Sequence, residues 1–232
     1  ECLRRFSARY RFGTSATPDR FDGFEKVYSM HLGPVGVRLE SRSIQPKFYR
    51  YFMPQLCPAL YTHDKIPLIP TMISLLTGTK ASKDPKTGKT GKSEPKPNNG
   101  SRKRNSIIAT EIVRACESGR RILVLSDRIG HLQTLELILK HHNHNLKIGY
   151  YIGGRKKEEL NQVAESCQII LGTNAMAKEG LDLPEIDTLC LASPKSDVIQ
   201  SCGRILRILP DKKEPIVLDF IDDIACFKSQ AK

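Results

Sequence analysis

Residues 200–207 read Gln-Ser-Cys-Gly-Arg-Ile-Leu-Arg and carry the clearest chemical pattern in the chain. In a helix, four of them fall at i, i+3, i+4 and i+7 and share one face: Gln200, Gly203, Arg204 and Arg207. Two guanidiniums one turn apart repel each other unless an anion lies between them, and Arg offers phosphate a planar, bidentate contact. A Gly inside a helix costs about 1 kcal/mol relative to Ala. The pattern therefore predicts a site for a polyanion such as the γ-phosphate of a nucleotide, with a solvated basic helix face as the alternative.

Three further stretches precede these residues in a fixed order. They are GTSATPDRFDG at residues 13–23, RILVLSDR at 121–128 and GTNAMAKEGLDLP at 172–184. Together with residues 200–207, they resemble motifs III, IV, V and VI of the superfamily 2 nucleic-acid helicases. The form SATPDRFDG is similar to that of the branch containing the excision-repair and transcription-factor helicases and their relatives in large DNA viruses.

The resemblance covers residues 1–30 and about 105–232, and it implies an ATP-dependent DNA helicase or translocase. In this family, phosphoryl transfer is shared between two RecA-like domains, and the first domain carries the phosphate loop and the magnesium carboxylate. The chain contains no GxxxxGK[ST] motif and begins at Glu1. We therefore expect a carboxyl-side fragment that is inactive alone, with ATP and Mg²⁺ bound mainly by the missing first domain.

The resemblance also assigns roles to individual residues. Arg204 and Arg207 would act as arginine fingers, with Gln200 near the γ-phosphate. The remaining predicted site residues form three groups: nucleotide contacts by Glu179, Gly180, Asp182 and Gly203; nucleic-acid contacts by Arg128 and Thr173, to which their strand-end positions add Ser126 and Gly153; and coupling of hydrolysis to strand movement by Ser15, Ala16 and Thr17. No metal-ligand set is expected within the chain.

The composition also indicates an acidic partner. The 232 residues carry a net charge of +12, and residues 1–119 hold 21 Lys and Arg against 10 Asp and Glu. A surplus of this kind favours nucleic acid. The expected partners are therefore DNA, the missing first domain of the same chain, and a transcription or repair complex. Part of the surplus lies in residues 77–104, which have no aromatic residue and are predicted to form a basic disordered loop.

The remaining composition excludes other classes of protein. The sequence has no apolar run long enough to span a bilayer and no signal peptide. Its seven cysteines are scattered without a CxxC pair, which predicts reduced thiols. We expect an intracellular location, with no membrane partner. The nucleus or a cytoplasmic viral replication site would fit the resemblance, as would the virion.

Residues 105–232 alternate between strand and helix patterns. Short apolar runs predict buried parallel strands at 122–125, 148–152, 168–171, 188–191 and 216–220. Helical patterns cover 105–116, with Asn105 as the predicted N-cap, and also 131–142, 156–166 and 196–206. The fold class is therefore α/β: a RecA-like parallel sheet with helices on both faces, preceded by the tail of a first RecA-like domain at residues 1–30. Polar residues follow four strands and should meet at one edge of the sheet: Ser126, Gly153, Thr173 and Ser193.

Residues 31–76 are rich in aromatic residues and prolines. They predict either a connector packed between two RecA-like domains or a small accessory segment. Aromatic side chains beside Lys47 and Arg50 could stack on bases, but the favoured interpretation is a local core.

Two other functions remain open. One is a RecA-like nucleic-acid-binding module without catalysis of its own, since the phosphate loop is not in the chain. The other is an RNA helicase. The forms SATPDRFDG and QSCGR favour the DNA branch, because RNA helicases of the DEAD group more often begin motif VI with His.

Overall fold

The computed structural model describes residues 9–14, 25–37, 46–83, 90–178, 183, 185–194 and 212–228. The chain divides into two compact units, residues 1–42 and 43–232. Within its described part, the first unit contains helix α1 (Glu25–Leu32). None of the helices in the described ranges combines the length and apolar character that crossing a membrane requires.

The second unit contains the other described elements. In chain order they are β1 (Lys47–Met53), α2 (Ile69–Thr77), β2 (Thr79–Lys83), β3 (Thr90–Pro95), α3 (Asn99–Glu117), β4 (Ile122–Leu125), α4 (Ile129–His142), β5 (Ile148–Tyr151), α5 (Lys157–Ser166), β6 (Ile169–Gly172), α6 (Asn174–Lys178), β7 (Thr188–Leu191), β8 (Ile216–Asp222) and α7 (Ala225–Lys228). Six strands form one sheet in the order β1-β8-β7-β4-β6-β5, and β2 pairs with β3 separately.

The predicted α/β sheet is confirmed. All neighbouring strands of the six-stranded sheet are parallel. Strands β4 and β7 have the predicted limits, and β5, β6 and β8 differ from prediction by one or two residues. Their continuous apolar sequences follow from burial on both faces. Helices α3 and α4 pack on one face, and α5 and α6 contribute to the core on the other.

Strand β1 lies in the segment 31–76, for which the sequence predicts no strand. It pairs in parallel with β8 along its whole length and forms an edge of the main sheet, so residues 47–53 belong to the sheet of the second unit. Tyr51 stacks on Phe220 with ring centroids 4.9 Å apart, and its hydroxyl donates to Glu111 Oε2 at 2.8 Å. Burial and this hydrogen bond raise the pKa of Tyr51 to about 12. Phe48 and Phe52 are 48% and 76% exposed, so the local-core prediction is wrong for them.

Helix α3 begins at Asn99 rather than at Asn105, the cap that the sequence predicts. Asn98 is the observed cap. Its side chain accepts from the backbone N–H of Ser101, and the Ser101 hydroxyl accepts from the Asn98 N–H, both at 2.9 Å. A Cβ on Gly100 would overlap the carbonyl oxygen of Leu56, so only glycine allows the helix to approach so closely.

The basic segment 77–104 is also more ordered than predicted. Residues 79–83 and 90–95 form the antiparallel pair β2–β3, and residues 99–104 belong to α3. Thr77 and Thr79 are buried, and their hydroxyls lie 3.0 Å apart. The disordered-loop prediction is therefore wrong for these parts of the segment. The wider division of the chain into domains stays a prediction.

Candidate nucleic-acid interface

The carboxyl ends of neighbouring strands bring polar residues together at one edge of the sheet. After β4, the backbone N–H of Asp127 donates to Ser193 Oγ, which follows β7, at 3.2 Å. Asn174, which follows β6, donates through Nδ2 to Asp127 Oδ1 at 2.8 Å. We call this edge the strand-end rim and define it by residues 126–128, 153, 173–174 and 193. The predicted meeting of strand ends is thus observed.

Ser126 is the fully buried member of the rim. Its hydroxyl oxygen accepts from the backbone N–H of Arg128 at 3.2 Å and lies 2.9 Å from His131 Nδ1. Because Ser126 has no exposed surface, it does not have the accessibility that the predicted direct contact with a nucleic-acid strand would need. Its hydroxyl instead fixes the turn between β4 and α4.

His131 links Ser126 to Asn105 on helix α3. Asn105 donates through Nδ2 to the carbonyl of Thr77 at 3.4 Å, which directs its Oδ1 toward His131 Nε2 at 3.0 Å. Nε2 therefore carries the proton, and Nδ1 accepts from the Ser126 hydroxyl. Burial, with a smaller effect of the Arg104 charge, lowers the pKa of His131 to about 3. The imidazole is consequently neutral near pH 7 and held in one tautomer.

Arg128 occupies the cap position of α4 and is half-buried. Its guanidinium donates to the carbonyl of Pro70 in α2 at 3.4 Å. Its Nε is buried and has no hydrogen-bond partner in the described part of the chain. No carboxylate of the described residues forms an ion pair with it. No described carboxylate therefore neutralises this guanidinium, and its positive charge is available to a phosphate.

Thr173 and Gly153 lie at the ends of β6 and β5. Thr173 is half-buried, and its carbonyl accepts from Ala177 in the first turn of α6 at 3.1 Å. Gly153 is exposed, and a Cβ there would lie 3.8 Å from the sulfur of Met176. Since β5 and β6 are paired, both residues lie on the rim beside the end of β4. Their predicted contacts with nucleic acid stay predictions.

A second buried polar contact lies beside this network. Arg104 and Asp222 are 0% and 1% exposed, and the guanidinium binds the carboxylate through two hydrogen bonds of 2.8 and 2.9 Å. Arg104 Nη1 also donates to the carbonyl of Ala192 at 2.6 Å. The Asp222 carboxylate is therefore committed to an ion pair. No cluster of metal-binding residues is found within the described ranges.

The predicted nucleotide and coupling residues lie outside the described residues. They are Ser15, Ala16, Thr17, Glu179, Gly180, Asp182, Gln200, Gly203, Arg204 and Arg207. The predicted helix 196–206 lies outside them as well. Their roles stay predictions.

Sequence reasoning missed the polar residues that support the rim. Arg104 and Asn105 precede Ile108 and Ile112 at helical spacing, so the apolar face of α3 includes them. That spacing indicates burial for Asn105 in place of the predicted cap position. His131 precedes Leu135 and Leu139 at the same spacing on α4, but its hydrogen-bond partners could not be predicted, because they come from α3 and the end of β4.

Comparison with known proteins agrees with this architecture. Residues 103–209 match the helicase conserved C-terminal domain family. The UvsW structure of T4 aligns with a TM-score of 0.52 and 19% identity, covering 79% of this chain and 34% of that one. The family match covers somewhat under half of the chain and lies within its second unit, and the likeness to UvsW is one of fold.

Two viral proteins are similar in sequence. A protein of Acanthamoeba polyphaga mimivirus with the provisional name ATP-dependent RNA helicase is 32% identical over 99% of this chain. A protein of Invertebrate iridescent virus 6 with the provisional name helicase is 28% identical over 52% of this chain. The aligned regions span 41% and 24% of those two proteins.

Proposed function

We propose that this chain is the carboxyl-side RecA-like part of an ATP-dependent nucleic-acid helicase or translocase. The observation that carries the proposal is the strand-end rim, which lies within the match to the helicase C-terminal domain family and where Arg128 has no carboxylate partner among the described residues. Thr173 and Gly153 lie on the same rim. The rim thus offers a cation, a hydroxyl and an exposed glycine backbone along one edge.

These groups suit contact with a sugar-phosphate backbone. A guanidinium forms charge-assisted hydrogen bonds to phosphate, and a hydroxyl or a backbone N–H adds neutral ones. Contact with a phosphate would also give the buried Nε of Arg128 an acceptor once the guanidinium turns outward. Backbone contacts carry no sequence information, so we expect binding that tolerates any sequence.

The ATP chemistry is proposed for the interface with a first RecA-like domain. The described residues contain no phosphate loop, so ATP and Mg²⁺ would be held mainly by that domain. Arg204 and Arg207 would neutralise the γ-phosphate in the transition state, with Gln200 beside it. Arginine fingers contribute on the order of 10³–10⁵ to the rate in comparable enzymes. Ser15, Ala16 and Thr17 would couple hydrolysis to movement of the strand.

We propose DNA as the polynucleotide, on the SATPDRFDG and QSCGR forms of the motifs. RNA is the second candidate, and the name of the mimivirus relative favours it. A module that binds nucleic acid without catalysis is the third candidate, because the chain alone contains no phosphate loop.

The first test measures binding of the chain to fluorescein-labelled single-stranded DNA and RNA across a series of salt concentrations. Arg128→Ala should weaken binding and reduce the slope of log K against log salt by about 0.7, the value for one phosphate contact on a single strand. Arg114→Ala is the matched control, because Arg114 is exposed at the end of α3 that leads into the start of β4.

The control should bind like the unmodified chain. Equal slopes for Arg128→Ala and the unmodified chain would contradict the proposed contact. Comparison of the two oligonucleotides decides between DNA and RNA.

A further inference from the structure

A continuous chain of hydrogen bonds runs from the end of α2 to the backbone of Arg128. The carbonyl of Thr77 accepts from Asn105, Asn105 accepts from His131, and His131 accepts from Ser126. Ser126 in turn accepts from the backbone N–H of Arg128. We call this series the His131 chain. It crosses from α2 through α3 and α4 to the strand-end rim.

Every side chain of the His131 chain is fully buried. Asn105, Ser126 and His131 each have a relative exposure of 0%. Burying polar groups costs free energy unless each is hydrogen-bonded, and an apolar core would avoid that cost. A satisfied buried network also imposes one arrangement on the groups it joins. The group at the rim end of this network is the backbone of Arg128.

The side chain of Arg128 is held much less firmly than its backbone. Among the described residues, the guanidinium makes one long hydrogen bond, 3.4 Å to the carbonyl of Pro70. The position of the guanidinium at the rim therefore depends mainly on the orientation of the Arg128 backbone. That orientation is set at the turn between β4 and α4, where the Arg128 N–H meets Ser126 Oγ at 3.2 Å.

We propose that His131 is a positioning residue that holds Arg128 in the orientation in which it contacts a nucleic-acid backbone. The inference rests on the proposed function, since it presupposes that contact. His131 acts through Ser126: the neutral imidazole accepts the hydroxyl proton, which leaves the oxygen lone pairs to the Arg128 N–H. The same imidazole anchors this arrangement to α3 through Asn105.

Two substitutions break the link to Arg128 from opposite sides. His131→Gln places an amide near the position of Nε2 and none at that of Nδ1, so the Asn105 contact can persist while the Ser126 contact is lost. Ser126→Ala removes the hydroxyl itself with little change in volume. If His131→Gln fails to fold, Ser126→Ala still carries the test.

Leu139→Ala is the control for stability. Leu139 is fully buried on α4 and belongs to no part of the His131 chain, so its truncation weakens the same helix through packing alone. Each variant is prepared in the unmodified chain and in the Arg128→Ala background. The readouts are the thermal midpoint and binding of the single-stranded oligonucleotide, with its salt slope, at a temperature where every variant is folded.

The proposal predicts that His131→Gln and Ser126→Ala lower affinity and salt slope in the unmodified chain. In the Arg128→Ala background, the same changes should have no further effect beyond about twofold, the scatter expected for independent sites. Leu139→Ala should lower the thermal midpoint without changing the salt slope. Such non-additivity identifies a role that acts through Arg128.

Two other results are informative in different ways. If His131→Gln and Ser126→Ala change only the thermal midpoint, or weaken binding equally in both backgrounds, the positioning role is wrong and the proposed function survives. If Arg128→Ala itself leaves binding unchanged, the proposed rim contact fails, and the positioning role fails with it.

Discussion

At the residue scale, a few buried polar side chains determine how the strand-end rim is built. Arg104 and Asn105 are adjacent on α3, yet their hydrogen bonds lead to the ends of different strands. Arg104 binds the Asp222 carboxylate and the carbonyl of Ala192, at the ends of β8 and β7. Asn105 connects through His131 to the end of β4. Helix α3 therefore fixes three strand ends through two neighbouring residues.

The His131 imidazole predicts a dependence of stability on pH. Its pKa is about 3 in the folded chain and about 6.5 in an unfolded one. The unfolded chain therefore takes up a proton that the folded chain rejects, and the contribution of His131 is complete above about pH 6.5 and declines as the pH falls toward 3. The free energy of unfolding should fall by up to about 1.4 kcal/mol per pH unit in this window from His131 alone.

Urea denaturation at a series of pH values checks this prediction. The difference between the unmodified chain and His131→Gln isolates the imidazole from the carboxylates that titrate in the same range. This difference should be largest near pH 7 and shrink on acidification. His142→Gln, an exposed position of the same helix, is the control and should follow the unmodified chain. Parallel curves for His131→Gln and the unmodified chain would show that the folded imidazole accepts a proton readily.

At the scale of elements, the strands of the sheet centre could be predicted from the sequence. The residues of β4, β6 and β7 are buried throughout, and burial on both faces produces the short apolar runs that mark them. β1 could not be recognised in this way. Its sequence KFYRYFM is mostly exposed, and its partner β8 lies at the other end of the unit. Pairing between distant segments leaves no local periodicity.

The candidate site could also be predicted only in part from the sequence. The positions of Ser126 and Thr173 at strand ends followed from the apolar runs before them, and the structure confirms those positions. The burial of Ser126 and its bond to His131 could not be predicted, because they depend on where α3 and α4 pack. The early start of α3 was missed because the capping residue Asn98 precedes a strongly basic stretch that resembles a loop.

The place of β1 in the sheet leads to a prediction about shortened chains. A chain of residues 43–232 should unfold cooperatively, since it is one compact unit. A chain of residues 105–232 should not fold stably. It lacks β1, which exposes the edge of β8, and it lacks Arg104, which leaves the Asp222 carboxylate buried without its partner. Removing one member of a buried ion pair costs about 3–5 kcal/mol by itself.

Thermal unfolding followed by circular dichroism compares the two shortened chains. Residues 43–232 serve as the control, since they retain every element of the sheet. A cooperative transition of residues 105–232 at the same midpoint would show that the rest of the sheet folds without β1.

At the scale of the whole molecule, the chain spans 41% of its mimivirus relative, and residues 103–209 match the helicase conserved C-terminal domain family. On the proposed account, hydrolysis requires a first RecA-like domain that brings ATP to Arg204 and Arg207. The chain alone should release phosphate from ATP no faster than background, with or without DNA. The arginines would then act only when the two domains close on the nucleotide.

The most direct test measures nucleic-acid-stimulated ATP hydrolysis by a protein that joins this chain to such a first domain. Arg204→Ala and Arg207→Lys should each lower kcat by at least about a hundredfold, because an arginine finger acts chiefly in the transition state and Lys lacks the planar fork. Nucleic-acid binding without nucleotide should stay nearly unchanged, and Arg114→Ala should retain normal turnover. Near-normal kcat in both finger variants, with weaker binding at low salt, would contradict the account and leave residues 200–207 as a solvated basic face.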